Sequence, residues 1–330
     1  MERSRLLGIA LVAGVLVGGA GCSAALSRTG TGLVVEQASR AKVDGYPISL
    51  RALPQAKYKS YMPRGQRMYS IRYWSRGLDV QGYLDVPPGK GPFPVLVYLH
   101  GGEVIPLDSH YHGYPVYTPV MAAESANADS IVFVPNYGGY GPSKGDIGSP
   151  YDCMVDAADG LKALSHVKGL QVKSNATYVF GFSLGGFVAL ALAQHDPQVR
   201  AAVLDSPWPG TLAFDAWTSQ VGMIHLDKDD LNLLDEVAWA YSPDFNATLA
   251  HMNSVQFNKV RVPVLIIGGG KDPIIPPSLV RALYGDLRAA GVETTLHFLP
   301  GGHAPITLQM YRIAQKWLLP RGFHLYITSP

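Results

Sequence analysis

From Met68 onward, short β-rich runs and longer stretches with helical apolar spacing take turns along the chain. Met68–Ser75 ("MYSIRYWS") and Leu78–Pro87 ("LDVQGYLDVP") are separated only by Arg76-Gly77 and predict a hairpin of two strands. Phe93–Gly102 ("FPVLVYLHGG") is a continuous apolar run closed by glycines, the pattern of a strand buried on both faces. Strands are also predicted at 130–135, 176–182, 199–207, 262–270 and 292–300. Helices are predicted at 119–128, 151–167, 185–196, 277–291 and 305–319. This alternation argues an α/β domain with a mainly parallel sheet and helices on both faces.

Two regions depart from the rhythm. Residues 22–65 are mixed in character and read as a tether and an irregular N-terminal extension. Residues 207–259 carry aromatics, prolines and a helical piece at 229–243 but no buried strand. They are expected to form an insertion or cap over the active-site edge of the sheet. The α/β domain therefore runs over 66–319, with a C-terminal tail at 320–330.

Charge narrows the partners. The formal net charge is +2 and only 16% of residues are charged, with no long basic run, which argues against nucleic acid. The first residues, "MERSRLLGIALVAGVLVGGAGCS", combine a basic start, an apolar stretch and small residues, the order of a secretory signal over 1–21. The apolar stretch is short for a spanning helix, which needs about 20 residues. "GGAGCS" resembles the lipobox of bacterial lipoproteins, with Gly19 where that pattern prefers Leu. The resemblance implies lipidation of Cys22, anchorage to a membrane through that lipid, and export to the cell envelope, facing the periplasm in a Gram-negative cell. The alternative is an ordinary cleaved signal. Cys153, the other cysteine, falls in a helical pattern and reads as a small core residue.

Gly-x-Ser-x-Gly occurs twice, as "GPSKG" (Gly141–Gly145) and "GFSLG" (Gly181–Gly185). With 36 glycines in 330 residues, roughly 0.3 matches are expected by chance, so context has to choose between them. A nucleophile elbow needs a strand, a sharp turn and a helix, with small residues where strand and helix crowd the serine. Ser183 has a strand before it, Gly181, Gly185 and Gly186 around it, and the apolar helix "FVALALAQ" after it. Ser143 follows Pro142 and leads into "DIGSP", which is loop chemistry.

A serine hydroxyl needs a base and a group that orients the base. His303, in "LPGGHAP", and Asp272, in "IIGGGKDP", both follow strands and complete the chain order Ser, acid, His. Asp205, at the end of "VRAAVLD", is the rival acid. The oxyanion hole is assigned to the backbone N–H of Leu184 and of Gly102, with the neighbouring Glu103 as the alternative to Gly102. Tyr137, Tyr140 and Trp208 are candidate pocket residues, and His100 is read as a structural partner of its loop. His110, His112 and Asp108 form the nearest thing to a metal cluster, but their spacing matches no recognised site, so neither metal nor cofactor is expected.

These motifs together resemble an α/β-hydrolase, and within that fold the catalytic domain of the prolyl oligopeptidase family. "GLDVQGYLDVPPGKGPFPVLVYLHGG", "VPNYGGYGPSKGD", "YVFGFSLGGFVAL", "VPVLIIGGGKDPIIPP" and "LPGGHAP" carry the resemblance over about Trp74–Leu319. It implies Ser183 as nucleophile, Asp272 as acid and His303 as base, acting on a short peptide or a small ester. The β-propeller of that family has no room ahead of the domain, and the 207–259 segment has no counterpart. A small-ester hydrolase, like dienelactone hydrolase relatives but with Ser for their Cys, stays open. So does a catalytically silent binding protein on the same fold.

Overall fold

The computed structural model describes residues 42–43, 45–54, 57, 65–102, 129–145, 148–210, 255–305 and 307–325. The helices expected at 119–128 and 229–243, the three residues of the weak metal motif, Glu103 and Cys22 lie outside them. Two short strands, β1 (Lys42–Val43) and β2 (Tyr46–Pro47), pair as a small hairpin. The other strands are β3 (Ser49–Ala52), β4 (Arg67–Ser75), β5 (Leu78–Val86), β6 (Phe93–Leu99), β7 (Ile131–Pro135), β8 (Val172–Phe182), β9 (Val199–Asp205), β10 (Val264–Gly269) and β11 (Thr294–Leu299). They form one sheet in the order β11-β10-β9-β8-β6-β7-β5-β4-β3. From β11 to β7 every pairing is parallel, and from β7 to β3 every pairing is antiparallel.

The centre of the sheet is buried on both faces. All five residues of β7, and Val95 to Leu99 of β6, are buried, so these strands show no polar alternation. Helices α1 (Pro150–Leu164), α2 (Leu184–His195) and α3 (Pro277–Ala289) cover one face, through residues such as Leu164, Leu190 and Leu283. Helix α4 (Leu308–Leu318) covers the other through Met310, Ala314 and Leu318. The start of α1 is written into its sequence. Ser149 accepts from the Asp152 N–H, Asp152 reaches back to the Ser149 N–H, and Pro150 sits where no N–H is needed.

Two segments are more ordered than their sequence pattern predicts. Residues 22–65 contain β3, which pairs with β4 in the main sheet. Ile48 and Leu50 point inward while Ser49 and Arg51 point outward, a strand alternation too short to stand out from its surroundings. The tail from residue 320 begins packed: Phe323 and Leu325 are buried with α4, and the Tyr178 hydroxyl donates to the Arg321 carbonyl at 2.9 Å.

Because β6, β8, β9, β10 and β11 run parallel, Leu99, Phe182, Asp205, Gly269 and Leu299 end along one edge. The chain segments that follow them are thereby gathered at that edge, the usual place for a site in an open α/β sheet.

Candidate active site

Ser183 lies between the end of β8 and the start of α2, with φ 52° and ψ −123°. Such a conformation costs an L-residue about 1–3 kcal/mol and persists only where its surroundings hold it. Here they do. The Ser183 N–H donates to the Asp205 carbonyl at 2.9 Å, and the Ser183 carbonyl accepts from Gly186 and Trp208, both at 2.9 Å. The crowding at the elbow also dictates glycine. A Cβ on Gly181 would run into the Gly185 carbonyl, and one on Gly185 into the Leu99 carbonyl. Among the described residues the Ser183 hydroxyl makes no hydrogen bond, so its lone pairs and proton are uncommitted.

Asp272 and His303 are joined directly. The His303 Nδ1–H donates to Asp272 Oδ2 at 2.8 Å, which leaves Nε2 as the basic nitrogen of the ring. Asp272 Oδ1 accepts from the Ile274 N–H at 2.9 Å and the Ile275 N–H at 2.8 Å. Burial alone would push the Asp272 pKa up. The His303 hydrogen bond, the two backbone N–H groups and the His303 charge outweigh it, and the carboxyl is held below its ordinary value.

The rival Asp205 has a different environment. It is fully buried, and neither carboxyl oxygen has a hydrogen-bond partner among the described residues. Burial, reinforced by the Asp272 charge, raises its pKa to about 7. The nearby Ser206 hydroxyl lowers it only in part, because it lies outside hydrogen-bond geometry with that carboxyl. The site uses the Asp205 carbonyl, not its carboxylate.

Leu184 opens α2, so its N–H belongs to the unpaired first turn beside Ser183. Gly102 is half-buried and follows β6 by way of His100 and Gly101. The His100 Nδ1–H donates to the Gly101 carbonyl at 2.7 Å, and its carbonyl accepts from the Tyr137 hydroxyl at 3.2 Å. The ring stacks on Tyr137 with centroids 4.2 Å apart and meets Tyr140 edge-on at 5.3 Å. Burial lowers the His100 pKa to about 4, with the Gly101 carbonyl opposing, so the ring is neutral near pH 7.

The three candidate pocket residues lie close to this arrangement. Tyr137 and Tyr140 are buried, at 0% and 4% exposure, and both rings pack on His100, beside the turn that carries Gly102. Trp208 is half-buried and packs on Phe187 at 5.9 Å while its N–H holds the Ser183 carbonyl.

Ser143 is placed elsewhere in the same loop region. Its hydroxyl accepts from the Gln81 N–H at 3.0 Å and donates to the Asn136 carbonyl at 3.1 Å, clipping the loop after β7 to the β4–β5 hairpin. The loop is fixed a second time by Asp156 of α1. That carboxylate takes Arg76 at 3.0 and 2.8 Å and the Gly138 N–H at 2.7 Å. Sequence reasoning missed this network, since only three-dimensional proximity joins a hairpin arginine to a helix aspartate 80 residues away. It also missed Ser206, whose only sequence signal is its position after a buried strand. Among the described residues no group of three or more His, Cys, Asp or Glu is arranged to hold a metal ion.

Comparison with known proteins agrees with this architecture. A family model described as the alpha/beta hydrolase fold matches residues 96–304. The uncharacterized peptidase YtmA of Bacillus subtilis is 25% identical over 219 residues, covering 62% of this chain and 74% of that protein. The Pyrococcus furiosus esterase Pf2001 superposes with a TM-score of 0.56 at 16% identity, over 81% of this chain and 93% of that one. Pyrococcus horikoshii acylaminoacyl peptidase superposes with a TM-score of 0.59 at 15% identity, over 87% of this chain and 49% of that one. With the matched span running from β6 through the His303 loop, the chain belongs to the alpha/beta hydrolase fold family.

Proposed function

We propose that the protein is a serine hydrolase that transfers the acyl group of a small carboxylic ester or short peptide to Ser183 and then to water. The observation that carries this reading is the 2.8 Å bond between His303 Nδ1 and Asp272 Oδ2 on the sheet edge where the strained Ser183 sits. His303 Nε2 takes the Ser183 hydroxyl proton as Oγ attacks the carbonyl carbon. The imidazolium formed is stabilised by Asp272. The Leu184 and Gly102 N–H groups face the oxyanion, and the proton on Nε2 passes to the leaving alcohol or amine as the carbon–heteroatom bond breaks. Water then attacks the acyl-enzyme with His303 again as base, releasing the acid and restoring Ser183. No step needs a metal or cofactor.

The motif resemblance to the prolyl oligopeptidase family supports a peptide acyl group, and a serine nucleophile of this kind accepts esters as well. In the same reading Cys22 carries lipid, and the domain is tethered at the cell envelope on the exported side. A fluorophosphonate probe tests the chemistry: wild type is labelled and Ser183→Ala is not. A folded wild type that resists the probe sinks the hydrolase reading. A panel of p-nitrophenyl esters and aminoacyl-naphthylamides then separates esterase from peptidase by the ratio of kcat/KM values. Metabolic labelling with an alkyne fatty acid, lost in Cys22→Ala, tests the anchor.

A further inference from the structure

Five non-glycine described residues have positive φ, and three of them, Ser183 (52°), Ser206 (42°) and Ala304 (46°), lie at the active-site edge. They are connected through one short segment, Asp205–Trp208. The Asp205 carbonyl accepts the Ser183 N–H at 2.9 Å. The Ser206 N–H donates to the Ile267 carbonyl of β10 at 2.7 Å. The Ser206 hydroxyl accepts the Ala304 N–H at 3.0 Å, one residue beyond His303. The Trp208 N–H returns to the Ser183 carbonyl, and Pro207 packs so tightly on Gly186 that a Cβ there would meet Pro207 Cβ at 2.6 Å. The segment therefore holds the elbow on both sides and reaches the histidine loop through a single side chain.

We infer that Ser206 is a positioning residue: its hydroxyl fixes the His303 loop to the Ser183 elbow, so that base and nucleophile meet in register. Ser206 is fully buried and has no access to substrate, so its effect passes through His303. Ala304 is an L-residue held at positive φ, a conformation disfavoured by its Cβ, and the bond from its N–H to Ser206 opposes relaxation of the loop on the β9 side, away from the β10 strand end that supplies Asp272 to His303. A shift of about 1 Å in a reacting group is enough to cost about a hundredfold in rate.

The inference rests on the hydrolase reading, and the tests separate the two. Ser206→Ala is expected to lower kcat about 10- to 100-fold with KM held within about twofold. Ser206→Gly relieves the positive φ but still lacks the hydroxyl, so it should lose the same activity while melting at or above the temperature of Ser206→Ala. Adding Ser206→Ala to His303→Ala should slow fluorophosphonate labelling no further, because the pair acts as a unit. Amide hydrogen exchange at Ala304 should accelerate in Ser206→Ala whether or not a substrate is found. A folded Ser206→Ala with wild-type kcat, full activity in Ser206→Gly, or an additive loss in the double variant would each overturn the positioning role. Loss of probe labelling in wild type would instead overturn the hydrolase reading and leave the exchange result to judge the clamp.

Discussion

The two Gly-x-Ser-x-Gly segments differ in what surrounds them, not in how hidden they are. Ser183 is 6% exposed and Ser143 7%. Ser183 sits at φ 52° between a buried strand and a buried helix, its backbone held from both sides and its hydroxyl uncommitted among the described residues. Ser143 lies in a loop with its hydroxyl spent twice, accepting from Gln81 and donating to Asn136. A nucleophile needs a free oxygen in a rigid frame; a structural serine needs the opposite, an oxygen that makes the frame rigid. The difference gives a set of tests, ordered here by expected effect.

The largest belongs to Ser183. Ser183→Ala should lower kcat by about a millionfold, the scale seen when a triad serine is removed. Residual turnover much above that would mean that another group attacks the substrate, and the contrast between the two serines would collapse. Next comes the acid. Asp272→Asn should keep the fold but present the wrong hydrogen-bond pattern to His303 Nδ1, with kcat falling by about 10⁴. Asp205→Asn should fall by less than about tenfold, because among the described residues its carboxyl bonds to nothing. A reversed order in steady-state kinetics would transfer the acid's role to Asp205.

Asp205 should reveal itself in stability instead. Its folded pKa, about 7, stands above the ordinary 3.8, so between those values the folded state holds a proton that the unfolded state has released. Stability is therefore lost as pH rises from about 4 to about 7, by at most ~4 kcal/mol, because three units of pKa at 1.36 kcal/mol each set the ceiling. Asp205→Asn removes the titrating group. Its melting temperature should exceed that of wild type at pH 8, and the advantage should shrink toward pH 4. Parallel pH profiles for the two proteins would show that the carboxyl is relieved on folding by a neighbour.

How much of this was legible from the chain depends on the range of the interaction. The parallel strands and their helices were readable because local apolar runs set both, as in Phe93–Leu99 and Leu184–His195. The elbow was readable because three glycines and an apolar helix crowd one serine in a dozen residues. Asp272 and His303 followed from their places after β10 and β11. Strand β3 was not readable, since four residues of alternation carry little signal until β4 pairs with them. Nor was the inward turn of Tyr137 and Tyr140, which depends on His100 from a separate strand end. Ser206 was the least readable, because its role lies in one long-range bond to Ala304, 98 residues away.

The smallest effect is the one that sharpens the comparison most. Ser143→Ala deletes an acceptor for the Gln81 N–H, in a part-buried setting, and a donor to the Asn136 carbonyl, in a buried one. An orphaned N–H of this kind costs about 1–3 kcal/mol, which lowers the melting temperature by roughly 2–12 °C, at about 2–4 °C per kcal/mol. Loop movement should be limited, because the Arg76–Asp156 pair and the Asp156 bond to Gly138 still hold the same segment. kcat/KM should accordingly stay within about threefold of wild type, a change of well under 1 kcal/mol. Thermal melts and steady-state kinetics on the same preparation read both quantities. A stable Ser143→Ala that has lost most of its activity would return the second serine to the chemistry, whereas a cooler-melting but active one assigns it to the frame.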